Sequence, residues 1–197
     1  MNFYLLLILT LLVIFNIFLC YQYPDISIKS TVDDKYYNVK QKYNDRIEAA
    51  NYLARLNKIN LQIINHMKKK YKHTKMERDI KYLEYNYTAG SSLSENIPRT
   101  INNTSYVLNK GDVIRICLRD GDGKFHDFQT VLFVSLHELT HMYDREYGHG
   151  KTFWKKFKII LENAIELKIY TPVNYNNNPT KYCGMNINSN PLYDKLY

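Results

Sequence analysis

The chain has 197 residues and a formal net charge of +8, so it is long enough for one domain with its own hydrophobic core. Its three cysteines form no C-x-x-C pair, which excludes a cysteine-based zinc finger. Cys117 and Cys183 leave two outcomes open, a disulfide in an oxidising compartment or two free thiols in a reducing one. The excess of lysine is typical of a solvated surface, with nucleic acid or anionic lipid as the alternative partner.

The first 22 residues predict a membrane anchor. Residues 3–20 are apolar except for Thr10 and Asn16, and a run of this length suits a membrane helix. A cleaved signal peptide is the alternative, but no Lys or Arg precedes the run and no small-residue cleavage site follows it. We therefore expect a single-pass membrane protein with residues 1–22 as its transmembrane helix. Lysines beyond this segment weakly favour a domain on the cytoplasmic side.

Residues 23–34 follow as a predicted linker, and residues 35–100 as a predicted helical region. Within that region, apolar residues from Leu53 to Met67 recur at spacings of three and four. This periodicity predicts one core-facing helix over residues 35–71.

A second, short helix is predicted over residues 74–84, with Thr74 as its cap. Residues 88–104 are rich in Ser, Asn and Gly and are predicted to be a loop. Three glycosylation sequons matter only if the domain is lumenal, and they begin at Asn86, Asn102 and Asn103.

Two strand-like segments come next, Ser105–Leu108 and Val113–Arg119. They flank the turn signal Asn109-Lys110-Gly111, and the second segment alternates apolar and basic residues. If Val113–Arg119 forms an edge of a sheet beside the active site, it can pair with an extended substrate peptide.

The most informative segment is a helix predicted from its cap, Asp127, to Tyr143. This helix is apolar nearly all round, which predicts burial, yet it contains His137, Glu138 and His141. Burying three ionisable groups without partners is costly, and a metal ion removes that cost. Histidines four positions apart share one helix face, so both imidazoles can reach one ion.

A catalytic zinc site needs a third protein ligand and an open position for water. His149 is the predicted third ligand, because it lies between two glycines at the turn before a helix predicted over residues 151–170. Four carboxylates remain alternative ligands: Asp144, Glu146, Glu162 and Glu166. The other histidines are predicted to be surface or capping residues: His66, His73 and His126.

Roles follow from this chemistry. Zinc acidifies its bound water and polarises a carbonyl group, and Glu138 is placed to act as the general base. An intact Glu138 favours an enzyme, because a purely structural site needs no general base and usually has four protein ligands. No residue stands out as the one that stabilises the oxyanion.

The stretch HELTHMYDREYGHGKTFWKKF, residues 137–157, resembles the WLM and SprT-like branch of the minigluzincin-type metallopeptidases. The longer stretch Ser105–Leu192 is similar to uncharacterised WLM-like proteins of large DNA viruses. The resemblance implies a small α+β zincin-like domain of helices and a short antiparallel sheet, with its catalytic core at residues 101–197. It also implies that Glu138 is the catalytic base and that three histidines bind zinc, namely His137, His141 and His149.

These observations together predict a membrane-anchored zinc metalloendopeptidase with a protein or peptide substrate. Residues 3–20 would attach it to a membrane, which is a host or virion membrane if the protein is viral. One alternative is a non-catalytic, zinc-stabilised membrane or virion structural protein. Relatives in this group act on proteins crosslinked to DNA, but nucleic acid is the less favoured partner here because an anchor would keep the domain from free DNA.

Overall fold

The computed structural model describes residues 3–22, 24–87, 93–98 and 104–194. Within these ranges the chain forms five helices, namely α1 (Phe3–Gln22), α2 (Arg46–Lys70), α3 (Glu77–Asn86), α4 (Phe128–Tyr143) and α5 (Lys151–Glu166). It also forms seven strands, namely β1 (Asp25–Lys29), β2 (Tyr36–Lys40), β3 (Leu93–Asn96), β4 (Tyr106–Leu108), β5 (Val113–Cys117), β6 (Thr180–Tyr182) and β7 (Met185–Ile187).

The main sheet has five strands in the order β1-β2-β3-β5-β4. Strands β1 and β2 are antiparallel, as are β4 and β5, whereas β3 runs parallel to both β2 and β5. The resemblance implied an antiparallel sheet, and the structure shows a mixed one. Parallel pairing of β2 with β3 needs a long crossover, which α2 and α3 supply.

Three predicted regions contain strands that the sequence pattern did not indicate. The predicted linker, residues 23–34, contains β1, and the helix predicted from residue 35 begins only at Arg46 because β2 precedes it. The predicted loop over residues 88–104 contains β3. These strands are short and gain their stability from their neighbours in the sheet, so a periodicity test along the chain does not detect them.

Residues 1–22 were predicted to be a transmembrane anchor. Their described part is the 20-residue helix α1, and the apolar side chains described within it are exposed, for example Leu9 at 46% and Val13 at 57%. Across the described residues, no helix has both the length and the apolar character that crossing a bilayer requires.

Helices α2 and α4 lie against the same face of the main sheet, because they contact each other as well as its strands. Helix α2 buries its periodic apolar residues, with Leu53, Leu56 and Met67 fully inaccessible to solvent. Lysines at its C-terminal end interact favourably with the helix dipole. Helix α5 packs against α4, so α4 is enclosed between the sheet and α5.

A buried ionic cluster joins the sheet to the start of α2. The Arg119 guanidinium donates to Glu95 Oε1 over 2.7 Å and to both carboxylate oxygens of Asp45 over 2.8 and 2.9 Å. The rings of Tyr43 and Phe125 lie 4.1 and 3.9 Å from the guanidinium carbon. Arg119 thus has polar and aromatic partners that offset the cost of burying its charge.

Strands β6 and β7 form a separate hairpin beside the end of β5. A disulfide between Cys117 and Cys183 joins this hairpin covalently to the main sheet, which settles the open question about these cysteines. The Tyr182 hydroxyl donates to the Cys117 carbonyl over 2.7 Å, and the Cys183 N–H donates to His126 Nε2 over 3.1 Å. The Ser105 and Tyr182 hydroxyls lie 2.8 Å apart, so the hairpin is held by the disulfide and by several hydrogen bonds.

Candidate active site

Helix α4 begins where the sequence predicts. Asp127 caps it, because its carboxylate accepts a hydrogen bond from the Thr130 N–H over 3.0 Å. The helix ends at Tyr143 and the chain turns through an extended Asp144. Gly148, with a φ of +83°, adopts a backbone conformation that favours glycine and directs the chain back toward α4.

The predicted site residues meet at this point. His149 Nε2 lies 2.9 Å from His137 Nε2 and 3.2 Å from His141 Nε2. Zn–N bonds of about 2.0–2.1 Å at tetrahedral angles would separate ligand nitrogens by roughly 3.3 Å. The two distances from His149 are therefore close to the spacing of zinc ligands, and the ligand atoms of all three histidines lie within 4.8 Å of one another. We refer to these residues as the three-histidine cluster.

The electrostatics of the cluster also fit a metal ion. Burial, followed by repulsion from the other two histidines, holds the pKa of His137 well below its ordinary value. Burial, followed by the neighbouring His149 and Lys110, lowers the pKa of His141 to about 4, and burial lowers the pKa of His149. A lowered pKa favours the neutral imidazole, and neutral imidazole is the form that binds metals.

The ring of Phe153, on α5, packs against all three imidazole rings. Its ring is fully buried, and its centroid lies 4.8, 4.6 and 4.7 Å from those of His137, His141 and His149. The sequence pattern placed Phe153 only on the apolar stripe of its helix. Its position four residues after His149 was the sequence feature that indicated a place near the site. Its contact with all three imidazoles depends on how α5 packs on α4.

Glu138 lies beside the cluster and is 5% exposed. Burial raises the pKa of its carboxyl group to about 8. Among the described residues, its carboxyl group has no hydrogen-bond or ion-pair partner. A cation held by the imidazoles would favour the carboxylate form, since opposite charges attract.

An open cavity of about 570 Å³ runs along α4 above these residues, and we call it the cleft. The cleft is lined by the segment from Thr104 to Val107, which includes the start of β4, and by the segment from Met185 to Ser189. The floor comes from α4 and α5 and includes Phe133, Val134, His137, Glu138, His141, Trp154 and Phe157.

The edge strand beside the cleft differs from the predicted one. Val113–Arg119 was considered as a sheet edge, but β5 lies inside the sheet between β3 and β4. The edge is β4, whose residues Tyr106 and Val107 line the cleft. Pairing of β5 with the distant β3 moved it inward, and that pairing leaves no signal in the local sequence.

Three of the four alternative third ligands have other partners, and the fourth, Glu162, is exposed on α5. Asp144 pairs with Lys156 over 3.3 Å, the Glu146 carboxylate accepts from the Thr152 hydroxyl over 2.8 Å, and Glu166 pairs with Lys70. Within the described ranges, the group of side chains able to hold a metal ion is the three-histidine cluster.

An α+β domain with a three-histidine cluster on and beside one helix, and a buried glutamate next to the first histidine, belongs to the zincin-like class of metallopeptidase domains. The comparisons agree with this class. The family described as WLM domain matches residues 34–192, and the chain belongs to this family.

Two similar proteins come from viruses. The uncharacterised protein R325 of Acanthamoeba polyphaga mimivirus is 32% identical over 171 residues, covering 84% of this chain and 83% of the relative. The uncharacterised protein 136R of Invertebrate iridescent virus 6 is 35% identical over 69 residues, covering 34% of this chain and 38% of the relative. Among solved structures, Wss1 of Saccharomyces cerevisiae is similar with a TM-score of 0.47 and 20% identity, covering 66% of this chain and 87% of Wss1.

Proposed function

We propose that the protein is a zinc metalloendopeptidase that hydrolyses peptide bonds in protein or peptide substrates. The observation that carries this proposal is the placement of Glu138, a buried carboxyl group in the cleft directly beside the three-histidine cluster. A metal site with only a structural role has no use for such a group, because four protein ligands would close it.

His137, His141 and His149 would hold the zinc ion, leaving the side that faces the cleft open. When bound, zinc supplies a Lewis acid that acidifies water and polarises the scissile carbonyl. Glu138 accepts the proton of the attacking water and delivers it to the leaving amine. The burial of Glu138 suits this role because a desolvated carboxylate is a stronger base than one in water.

The substrate would bind as an extended strand against β4. A sheet edge presents unpaired backbone N–H and C=O groups, and an added peptide strand can bond to them. Met185 and Ile187 of β7 also line the cleft and would contact side chains of the substrate. A peptide bound along β4 would thus lie in the same cavity as Glu138.

Glu138→Gln tests the reaction, because glutamine has nearly the same shape but cannot accept the proton. We expect the variant to bind one zinc ion per chain as wild type does, and to cleave a proteome-derived peptide library roughly 10²- to 10⁴-fold more slowly. Cleavage at the wild-type rate would disprove the role of Glu138. Stoichiometric zinc in wild type without any cleavage would support the non-catalytic, zinc-stabilised structural protein instead.

We further propose that α1 attaches the protein to a membrane. What supports this is a 20-residue helix without acidic or basic residues in its terminal turns and with exposed apolar side chains from Leu5 to Phe15. The test is flotation of the full chain with phospholipid vesicles, before and after carbonate extraction. Leu9→Arg should reduce attachment, because a charge in a bilayer is costly, whereas Val32→Arg outside α1 should not. Failure of wild type to float would refute the proposal.

A further inference from the structure

The segment that carries His149, residues 144–149, has no regular secondary structure. We call it the ligand segment. His149 itself is exposed, unlike the two histidines that α4 holds in place. The position of its imidazole therefore depends on whatever fixes the backbone of this segment.

Lys110 makes the contacts that fix it. The Lys110 ammonium donates to the carbonyl of Asp144 over 2.7 Å and to the carbonyl of Glu146 over 2.6 Å. The same ammonium lies 4.6 Å from the centroid of the Tyr147 ring. One cation thus binds the ligand segment at three residues, and two of these contacts are charge-assisted hydrogen bonds, the stronger kind.

The turn that carries Lys110 is itself held firmly. Asn109, Lys110 and Gly111 all have positive φ angles, of 48°, 61° and 138°, and the N–H groups of Gly111 and Asp112 both donate to the Leu108 carbonyl. A Cβ atom at Gly111 would lie 2.0 Å from the Asn86 carbonyl oxygen, so the turn packs directly on the end of α3. Lys110 therefore extends from a fixed point of the sheet, immediately after the edge strand β4.

Other side chains contact different parts of the ligand segment. Lys156 bonds to the Tyr143 carbonyl and the Asp144 carboxylate, at the end of α4. Arg145 and Glu146 are held through their side chains, by Asp79 and Thr152. Lys110 differs from these because it binds backbone carbonyls on both sides of Arg145, and so fixes the path of the chain toward His149.

We propose that Lys110 is a positioning residue that presents His149 to the metal centre. The inference rests on the proposed three-histidine site and goes beyond it by assigning a role to Lys110, a residue that lines the cleft and is not one of the three histidines. It also connects the proposed substrate site with the proposed metal site, because the turn after β4 contacts the segment that carries His149. The Lys110 ammonium is partly buried, and this burial lowers the pKa of Lys110.

The test is a zinc titration of the metal-free full chain in mild detergent, against a competing chelator. Lys110→Met removes the donors and keeps the aliphatic stem, and we expect the zinc dissociation constant to rise about 10- to 100-fold. Lys110→Arg, which keeps charge and donors, should restore most of the affinity. Lys81→Met is the matched control, since Lys81 is an exposed lysine paired with Glu77 of the same helix and its removal should leave the affinity unchanged.

A double-mutant cycle separates positioning from general stabilisation. If Lys110 acts through His149, Lys110→Met should cause no further loss of affinity in a His149→Ala background. Equal losses in both backgrounds, or unchanged affinity in the single variant, would overturn the inference. Should Lys110→Met fail to fold, Lys110→Gln, which keeps neutral N–H donors, replaces it in the same cycle.

The two proposals fail in different ways. Absence of zinc binding by wild type would refute the metal centre, and with it the inference that rests on that centre. Tight zinc binding by wild type and by Lys110→Met alike would refute only the role of Lys110.

Discussion

Reduction of the Cys117–Cys183 disulfide should destabilise the protein strongly. The bond joins residues 66 positions apart in the chain. In the chain-entropy account, a loop of this length contributes roughly 4 kcal/mol to the free energy of unfolding at 25 °C. With a urea dependence of about 2 kcal/mol per molar, the midpoint of unfolding should fall by about 2 M.

The assay compares urea unfolding of the oxidised and the phosphine-reduced protein, both free of metal. A Cys20→Ser background removes the third thiol, so that only one pair of sulfur atoms changes. Reduction of the same molecule is preferable to substitution, because Cys117 and Cys183 are buried and a serine hydroxyl there would add a cost of its own. Equal midpoints for the two states would refute the reasoning.

The same bond bears on activity. The β6–β7 hairpin forms one wall of the cleft but contributes nothing to the three-histidine cluster. Reduction under native conditions should therefore lower peptide hydrolysis while leaving the zinc dissociation constant nearly unchanged. A parallel loss of zinc would show that the hairpin supports the metal site instead.

Three further predictions concern stability. Arg119→Met should lower the free energy of unfolding by about 3–5 kcal/mol in urea melts, because it leaves the buried Glu95 without its cationic partner. Adding Glu95→Gln should recover part of that loss, and no recovery would argue against the ion pair. Hydrogen bonds from Arg119 hold the pKa of Asp45 below its ordinary value, so their stabilisation is complete above that value and disappears as the pH falls through the lower, folded-state pKa. The stability gap between wild type and Asp45→Asn should therefore narrow in acid, and a constant gap would contradict this. Free zinc at a thousand times its dissociation constant should stabilise wild type by about 4 kcal/mol in thermal melts but His149→Ala far less, and equal stabilisation would count against the cluster.

The sequence by itself determined the centre of the site. Capping by Asp127, the apolar helix and the four-residue spacing of His137 and His141 are local features, because a helix fixes the relative positions of residues one turn apart. The β4–β5 hairpin was predictable for the same reason, since its turn signal lies between two neighbouring strands. The glycines on either side of His149 indicated a turn, although four carboxylates remained as alternative ligands.

The tertiary structure decided everything that depends on residues far apart in the chain. In the order of the sheet, β5 lies inside and β4 lies at the edge. The sheet also contains β1, β2 and β3, which lie in regions predicted to be linker, helix and loop. The tertiary structure brought the β6–β7 hairpin and β4 to the same cleft. It also brought Lys110 to the ligand segment, more than 30 positions away along the chain. Such contacts follow from packing and long-range strand pairing, which periodicity and spacing along one segment do not encode.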